Sequence, residues 1–176
     1  MIRQAEIKDL ETVAGSYLRL LTYEKEQGGN SNWVLGVYPT KTTAETAIEE
    51  QTLYVLEEDG TFCGSMILNK KQPPEYGQIS WRYPAADEDV MVIHTLCIPP
   101  EQAGKGRATQ LVRFALQAAR ESGCTTIRLD TWAGNRPAAA LYEKMGFRLA
   151  GTAPILLQGL IPEDQIFFER RTEEGT

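Results

Sequence analysis

A chain of 176 residues with 42% hydrophobic content can bury one sizeable core, and its length asks for a single domain over 1–176. A net charge of −6 argues against a nucleic-acid surface, which needs lysine and arginine clustered on one face, and tolerates a cationic substrate. No apolar run approaches the ~20 residues of a membrane span and the first residues carry no apolar leader, so a soluble cytoplasmic protein is expected, with no membrane partner. Cys63, Cys97 and Cys124 read as small buried hydrophobes, and with His94 the only histidine the usual ligand sets cannot be assembled, so no metal is expected.

In chain order, Ile2 to Glu6 reads as a short strand. Asp9 then caps a helix whose apolar stripe is Leu10, Val13, Ala14, Tyr17, Leu18 and Leu21. Gln27 to Asn32 is a flexible break, followed by an aromatic segment from Trp33 to Tyr38 that stops at Pro39. Thr42 and Glu45 are spaced as a capping box for a second helix to about Gln51. Leu53 to Leu56 and Phe62 to Leu68 flank Asp59-Gly60 and predict an antiparallel hairpin. Gln78 to Tyr83 reads as a short strand. Asp89 to Ile98, apolar on both faces, reads as a central strand covered on each side.

From Gly104 a helix presents Ala108, Leu111, Val112, Ala115, Leu116 and Ala119 on one stripe, and Gly123 closes it. Thr125 to Thr131 follows as a strand, so this βαβ crossover makes two strands parallel neighbours. Asn135 caps a further helix with Pro137 in its first turn and Gly146 just past its end. Phe147 to Leu157 and Gln165 to Arg170 complete the chain as strands. The order predicts an α/β (α+β) fold, a mixed central sheet of about seven strands with helices on both faces.

The chemistry concentrates in Ile98-Pro-Pro-Glu-Gln-Ala-Gly-Lys-Gly-Arg-Ala108, where an apolar strand stops and a helix opens through glycines. The first turn of a helix holds N–H groups without intrahelical partners at the positive end of the macrodipole, so anions collect there. Gly104 and Gly106 let a ligand approach the backbone, and Lys105 and Arg107 add cationic side chains. A P-loop needs Ser or Thr after its lysine, and the dinucleotide fingerprint needs Gly or Ala at 109; here Arg107 follows Gly106 and position 109 is Thr. A nicotinamide-dependent oxidoreductase would instead be stabilised by NAD.

Three pieces in this order resemble the GNAT superfamily of N-acetyltransferases: Thr95-Leu-Cys-Ile98, Gly104-Lys-Gly106-Arg-Ala108, and Asn135-x-x-Ala138-x-x-Leu141-Tyr142-Glu-Lys-Met-Gly146-Phe147. The resemblance covers essentially the whole chain. It implies a GNAT fold in which the parallel strands Asp89 to Ile98 and Thr125 to Thr131 splay at their C-terminal ends to admit acetyl-CoA. Pro99 and Pro100 cannot continue a ladder, which leaves groups of Leu96, Cys97 and Ile98 for the pantetheine amides. The pyrophosphate is then assigned to Ala103, Gly104, Lys105, Gly106, Arg107, Ala108 and Thr109, and the arm to Asn135, Ala138, Tyr142 and Lys144. The family's Arg/Gln position falls on Ala103, with Gln102 one place earlier, so a weaker or slightly rearranged grip on the cofactor is expected.

The activity implied is transfer of acetyl from acetyl-CoA to a primary amine by direct attack, with a strand N–H near Cys97 or Ile98 holding the oxyanion. Tyr142, protonated at neutral pH, is the expected general acid for the departing thiolate. His94 is a candidate catalytic base, alongside Asp87, Glu88, Glu24 or Glu26 acting through water. Cys97 is set aside as a nucleophile. Trp33, Tyr38 and Tyr83 are the expected lining of the acceptor pocket. Partners are thus a small-molecule or peptide amine, no nucleic acid, and a homodimer if the final strands exchange edges. The competing reading is a CoA-binding sensor or interaction module without turnover.

Overall fold

The structure is a computed structural model that describes residues 1–173. Strand β1 (Ile2–Gln4) leads into a 3-10 turn, Ile7–Asp9, and helix α1 (Leu10–Gln27), which runs on past the predicted stripe. Asp9 stands just before α1 as expected, but its carboxylate accepts from the Glu6 N–H at 2.7 Å and from Arg3 at 2.8 Å, so it secures the 3-10 turn instead of the α1 terminus. Helix α2 (Lys41–Glu49) is capped by Thr40 with Thr43, not by Thr42 with Glu45. Thr40 is the residue with extended backbone (φ −127°), which an N-cap requires.

Strands β2 (Leu53–Glu58) and β3 (Thr61–Asn69) pair antiparallel around Asp59-Gly60, both at positive φ. The strand expected at Gln78 to Tyr83 is absent: Pro74–Gln78 is a 3-10 turn. The Arg82 and Tyr83 N–H groups donate at 2.9 Å to the Glu169 carboxylate, which satisfies them without a ladder. The remaining elements are β4 (Val90–Cys97), α3 (Arg107–Glu121), β5 (Thr126–Trp132), α4 (Arg136–Lys144), β6 (Arg148–Leu157) and β7 (Ile161–Arg171). Helix α3 therefore starts three residues later than Gly104. Strand β7 starts four residues earlier than Gln165, because Gln158 and Gly159 at positive φ turn the chain.

The seven strands are ordered β1-β2-β3-β4-β5-β7-β6. Strands β4 and β5 pair parallel, Val90 opposite Thr126 through Ile93 opposite Leu129. It stops there, although β4 runs to Cys97 and β5 to Trp132. By backbone contacts the chain forms two compact units: Met1–Gly29, Trp33–Leu68 and His94–Phe114, and Asn30–Asn32, Asn69–Ile93 and the chain from Ala115 onward. Both β4 and α3 contribute residues to each unit.

In the first unit, Val13 and Tyr17 of α1 and Ala44 and Ala47 of α2 pack with Leu53, Val55, Ile67 and Cys97. Tyr54, on the alternate face of β2, stacks on Phe114 of α3 at 5.4 Å, so helices cover both faces here. In the second unit, Tyr76, Val90, Val92 and Phe167 form a cluster on one face of the sheet. On the other, Phe168 meets Tyr142 of α4, ring centroids 5.7 Å apart. No helix among the described residues is long and apolar enough to cross a membrane.

Candidate functional site

In the first unit, Pro100–Gln102 forms a 3-10 turn, and Gly104 and Gly106 then adopt φ of 75° and 74°, which turns the chain into α3. The Gln110 N–H donates to Gly106 O at 3.2 Å, so the N–H groups of residues 106 to 109 lie ahead of the helix ladder. A Cβ placed on Gly104 or Gly106 would meet nothing within 4 Å, so open space faces the loop. Ala103 and Lys105 are exposed. Arg107, in contrast, is engaged: its guanidinium pairs with Glu58 and donates to Gln102 and Gln110, each at 3.2 Å. Gln102, one place before the family's Arg/Gln position, is buried and accepts from Arg107, so it braces the loop.

The strand leading into that loop carries a feature the sequence hides. Thr95 sits at φ 47°, a left-handed conformation costing about 1–3 kcal/mol for a non-glycine residue, and its hydroxyl bonds the Tyr38 hydroxyl. That contact ties the aromatic segment to β4; Trp33 and Tyr38 meet edge-on at 6.0 Å. The structure thus brings two predicted acceptor-lining residues to the strand that bears His94, itself half-buried. Cys97 is fully buried, and burial pushes its thiol up to about 12, consistent with a packing residue that serves through its backbone. Leu96 and Ile98 on either side are half-buried.

In the second unit, Asn135 accepts from the Ala138 N–H at 3.3 Å, and its amide donates to Thr131 at 3.3 Å, so its side chain joins α4 to β5. Gly146, at φ 88°, follows the C-cap Met145 as expected. Tyr142 is 7% exposed, its ring against Phe147 and Phe168. Burial, and after it the charge of Asp130, push the phenol above its ordinary value of 10.0. Lys144 is exposed in the last turn. Tyr83 lies under Arg171 at 4.7 Å, and its N–H donates to Glu169.

Glu163 is a residue that sequence reasoning missed. It is buried on β7, accepts from Asn32 Nδ2 at 3.1 Å, and its carboxyl is pushed up to about 7, chiefly by burial. On β5, Asp130 accepts from Tyr76 and, at 2.6 Å, from Gln165; burial raises it too. Asp130 in turn raises Glu163. The nearest sequence signal was Gln165 and Glu163 recurring at a spacing of two, which places both on one face of a strand.

The chain belongs to the Acetyltransferase (GNAT) family, whose sequence profile matches residues 21–147. It is 39% identical over 72 residues to a streptothricin acetyltransferase of Escherichia coli, 41% of this chain but only 38% of that protein's length. It shares its fold with a GNAT-family acetyltransferase of Listeria monocytogenes (TM-score 0.74, 19% identity, 97% of this chain and 94% of that one). The same holds for yncA of Salmonella typhimurium, solved with its cofactor acetyl-CoA (TM-score 0.69, 17% identity, 100% and 95%).

Proposed function

We propose that residues 1–176 form one acetyltransferase domain that moves an acetyl group from acetyl-CoA to a primary amine by direct attack. The observation that carries this reading is the loop with two positive-φ glycines ahead of the α3 ladder, open on its outer side. Amides of Gly104 to Thr109 hold the pyrophosphate, with Lys105 adding charge, and main-chain groups of Leu96 to Ile98 hold the pantetheine. Arg107, engaged by Glu58, shapes the loop more than it grips the ligand. Tyr142, kept protonated by burial, gives its proton to the departing thiolate.

The acidic chain, and the likeness to an enzyme named for streptothricin, support a cationic acceptor. Free thiol release from acetyl-CoA, measured with streptothricin, spermidine, lysine methyl ester and an alanine-initiated peptide, tests the reaction. Release with at least one amine is expected. Thermal stabilisation by coenzyme A with no thiol released from any of them would make the chain a sensor instead. The three free buried cysteines fit a reducing compartment such as the cytoplasm. Exposed Leu149 and Leu156 on the edge strand β6 support a homodimer through that edge, to be read by light scattering.

Gly106→Ala should weaken coenzyme A binding by about tenfold or more, about 1.4 kcal/mol, because a Cβ at φ 74° costs about 1–2 kcal/mol and re-aims the amides. Titration calorimetry reads it. Unchanged affinity would remove the loop from the coenzyme site.

A further inference from the structure

We infer that Glu163 and Gln165, neighbours on one face of β7, receive the acceptor's nitrogen: Glu163 takes its proton, the Gln165 carbonyl oxygen accepts an N–H, and the acceptor is therefore an alkylammonium compound. The assignment rests on the acetyl-transfer reading and names the base which that reading leaves open.

Gln165 is 3% exposed, and its Nε2 donates to Asp130 Oδ2 at 2.6 Å. A carboxylate oxygen accepts, so this bond fixes which way the amide points. Its Oε1 is then buried with no hydrogen-bond partner. A buried acceptor left unpaired costs about 1–3 kcal/mol, and a donor from a ligand removes that cost. Glu163, two residues earlier on the same face, takes the Asn32 amide on Oε1 at 3.1 Å. No lysine or arginine pairs with Glu163 or Asp130 among those residues. Two inward carboxyls and an orphan carbonyl without a cation make a receptor that an ammonium group completes.

The groups facing Glu163 are Asn32, Asp130 of β5 and, opposite it on β6, Ile155. Tyr76 and Gln165 bind Asp130, whose charge reaches Tyr142 as well as Glu163. Acid and base thus sit in one electrostatic neighbourhood inside the second unit. Glu163, pushed up to about 7, is half ionised at neutral pH and matched to remove a proton from an amine. The ammonium passes one proton to the Glu163 carboxylate, and the nitrogen lone pair forms the C–N bond. The C–S bond breaks, and the thiolate takes the Tyr142 proton. The second proton lost by nitrogen restores Tyr142, and the Glu163 proton leaves to water.

The test is the pH dependence of kcat/KM for the fastest amine of the panel above, in wild type, Glu163→Gln, Glu163→Asp and Gln165→Leu. Wild type should show an acid limb breaking near pH 7. Glu163→Gln should lose on the order of 10²-fold at pH 7 and lose that break, rising with pH toward the amine's own pKa. Glu163→Asp should recover part of the rate. Gln165→Leu should raise KM for the amine more than it lowers kcat, and KM for acetyl-CoA should stay within twofold in all variants.

Glu163 has a native pKa above its ordinary 4.5, so its stabilising contribution is complete below pH 4.5 and lost as pH rises through about 7. Glu163→Gln should therefore melt no lower than wild type at pH 8, which separates catalysis from misfolding. A wild-type-like rate or a persistent break near pH 7 in Glu163→Gln overturns the assignment alone. A wild type that releases no thiol with any amine overturns the transfer reading itself, and this one with it.

Discussion

Replacing Tyr142 by phenylalanine is expected to lower kcat by on the order of 10²–10³-fold while leaving the affinity for acetyl-CoA within about twofold, because only a proton donor is lost. The ring packs on Phe147 and Phe168, and phenylalanine keeps both contacts. Only the hydroxyl oxygen is removed from a ring that is already buried, so the fold should be undisturbed. Burial and the charge of Asp130 hold the phenol protonated beyond its ordinary range, so wild type should show no alkaline limb from this group below pH 10. Steady-state kinetics with single-turnover controls, together with an unchanged melting temperature, check both statements. An unaltered kcat would take Tyr142 out of the chemistry and leave it a core tyrosine.

Glu169→Ala should destabilise the protein by about 3 kcal/mol, the cost of stranding two backbone N–H donors that a buried carboxylate satisfies, with a smaller share from half-exposed Arg148. Its carboxylate is fully buried and accepts from the Arg82 and Tyr83 N–H groups at 2.9 Å and from Arg148 at 2.5 Å. Truncation leaves two backbone donors unpaired and one guanidinium without its anion. The irregular segment before β4 is pinned by those two N–H groups, so protease cleavage within residues 79–83 should accelerate. Urea unfolding with an unchanged slope measures the loss. A change under about 0.5 kcal/mol, the range of ordinary surface substitutions, would show that the segment is held by its aromatic contacts alone.

Those aromatic contacts, Tyr76 with Trp81 at 5.3 Å and Trp81 with Phe167 at 6.4 Å, show why the region misled the sequence reading. Gln78 to Tyr83 carries strand-like residues, but its N–H groups find a side chain 86 and 87 positions away. Composition cannot display so distant a partner. Local backbone chemistry, by contrast, was legible: the Asn135 cap, the Gly146 terminus, the Asp59-Gly60 turn and the glycines before α3 each depend on a few adjacent residues. The shift of the α2 cap from Thr42 to Thr40 shows the limit of that, since either threonine satisfies the pattern and only the extended backbone at Thr40 decides.

Within the candidate site, the turn before α3 was readable because glycine and a helix start announce themselves. Thr95 was not, because threonine is an ordinary strand residue and its left-handed backbone has no signature. Glu163 was missed for a related reason. Around Glu163 the strand does alternate, but the buried positions hold Glu163 and Gln165 and the exposed ones Pro162 and Asp164, so polar residues stand on both faces and hide which one is buried. A polar residue on such a strand looks solvated until its neighbours are in place.

Backbone amide chemical shifts during titration with coenzyme A test the central claim most directly. The account predicts saturable changes concentrated at Gly104 to Thr109 and at Leu96 to Ile98. Binding that leaves those amides unmoved, or no binding to the folded protein, would contradict it.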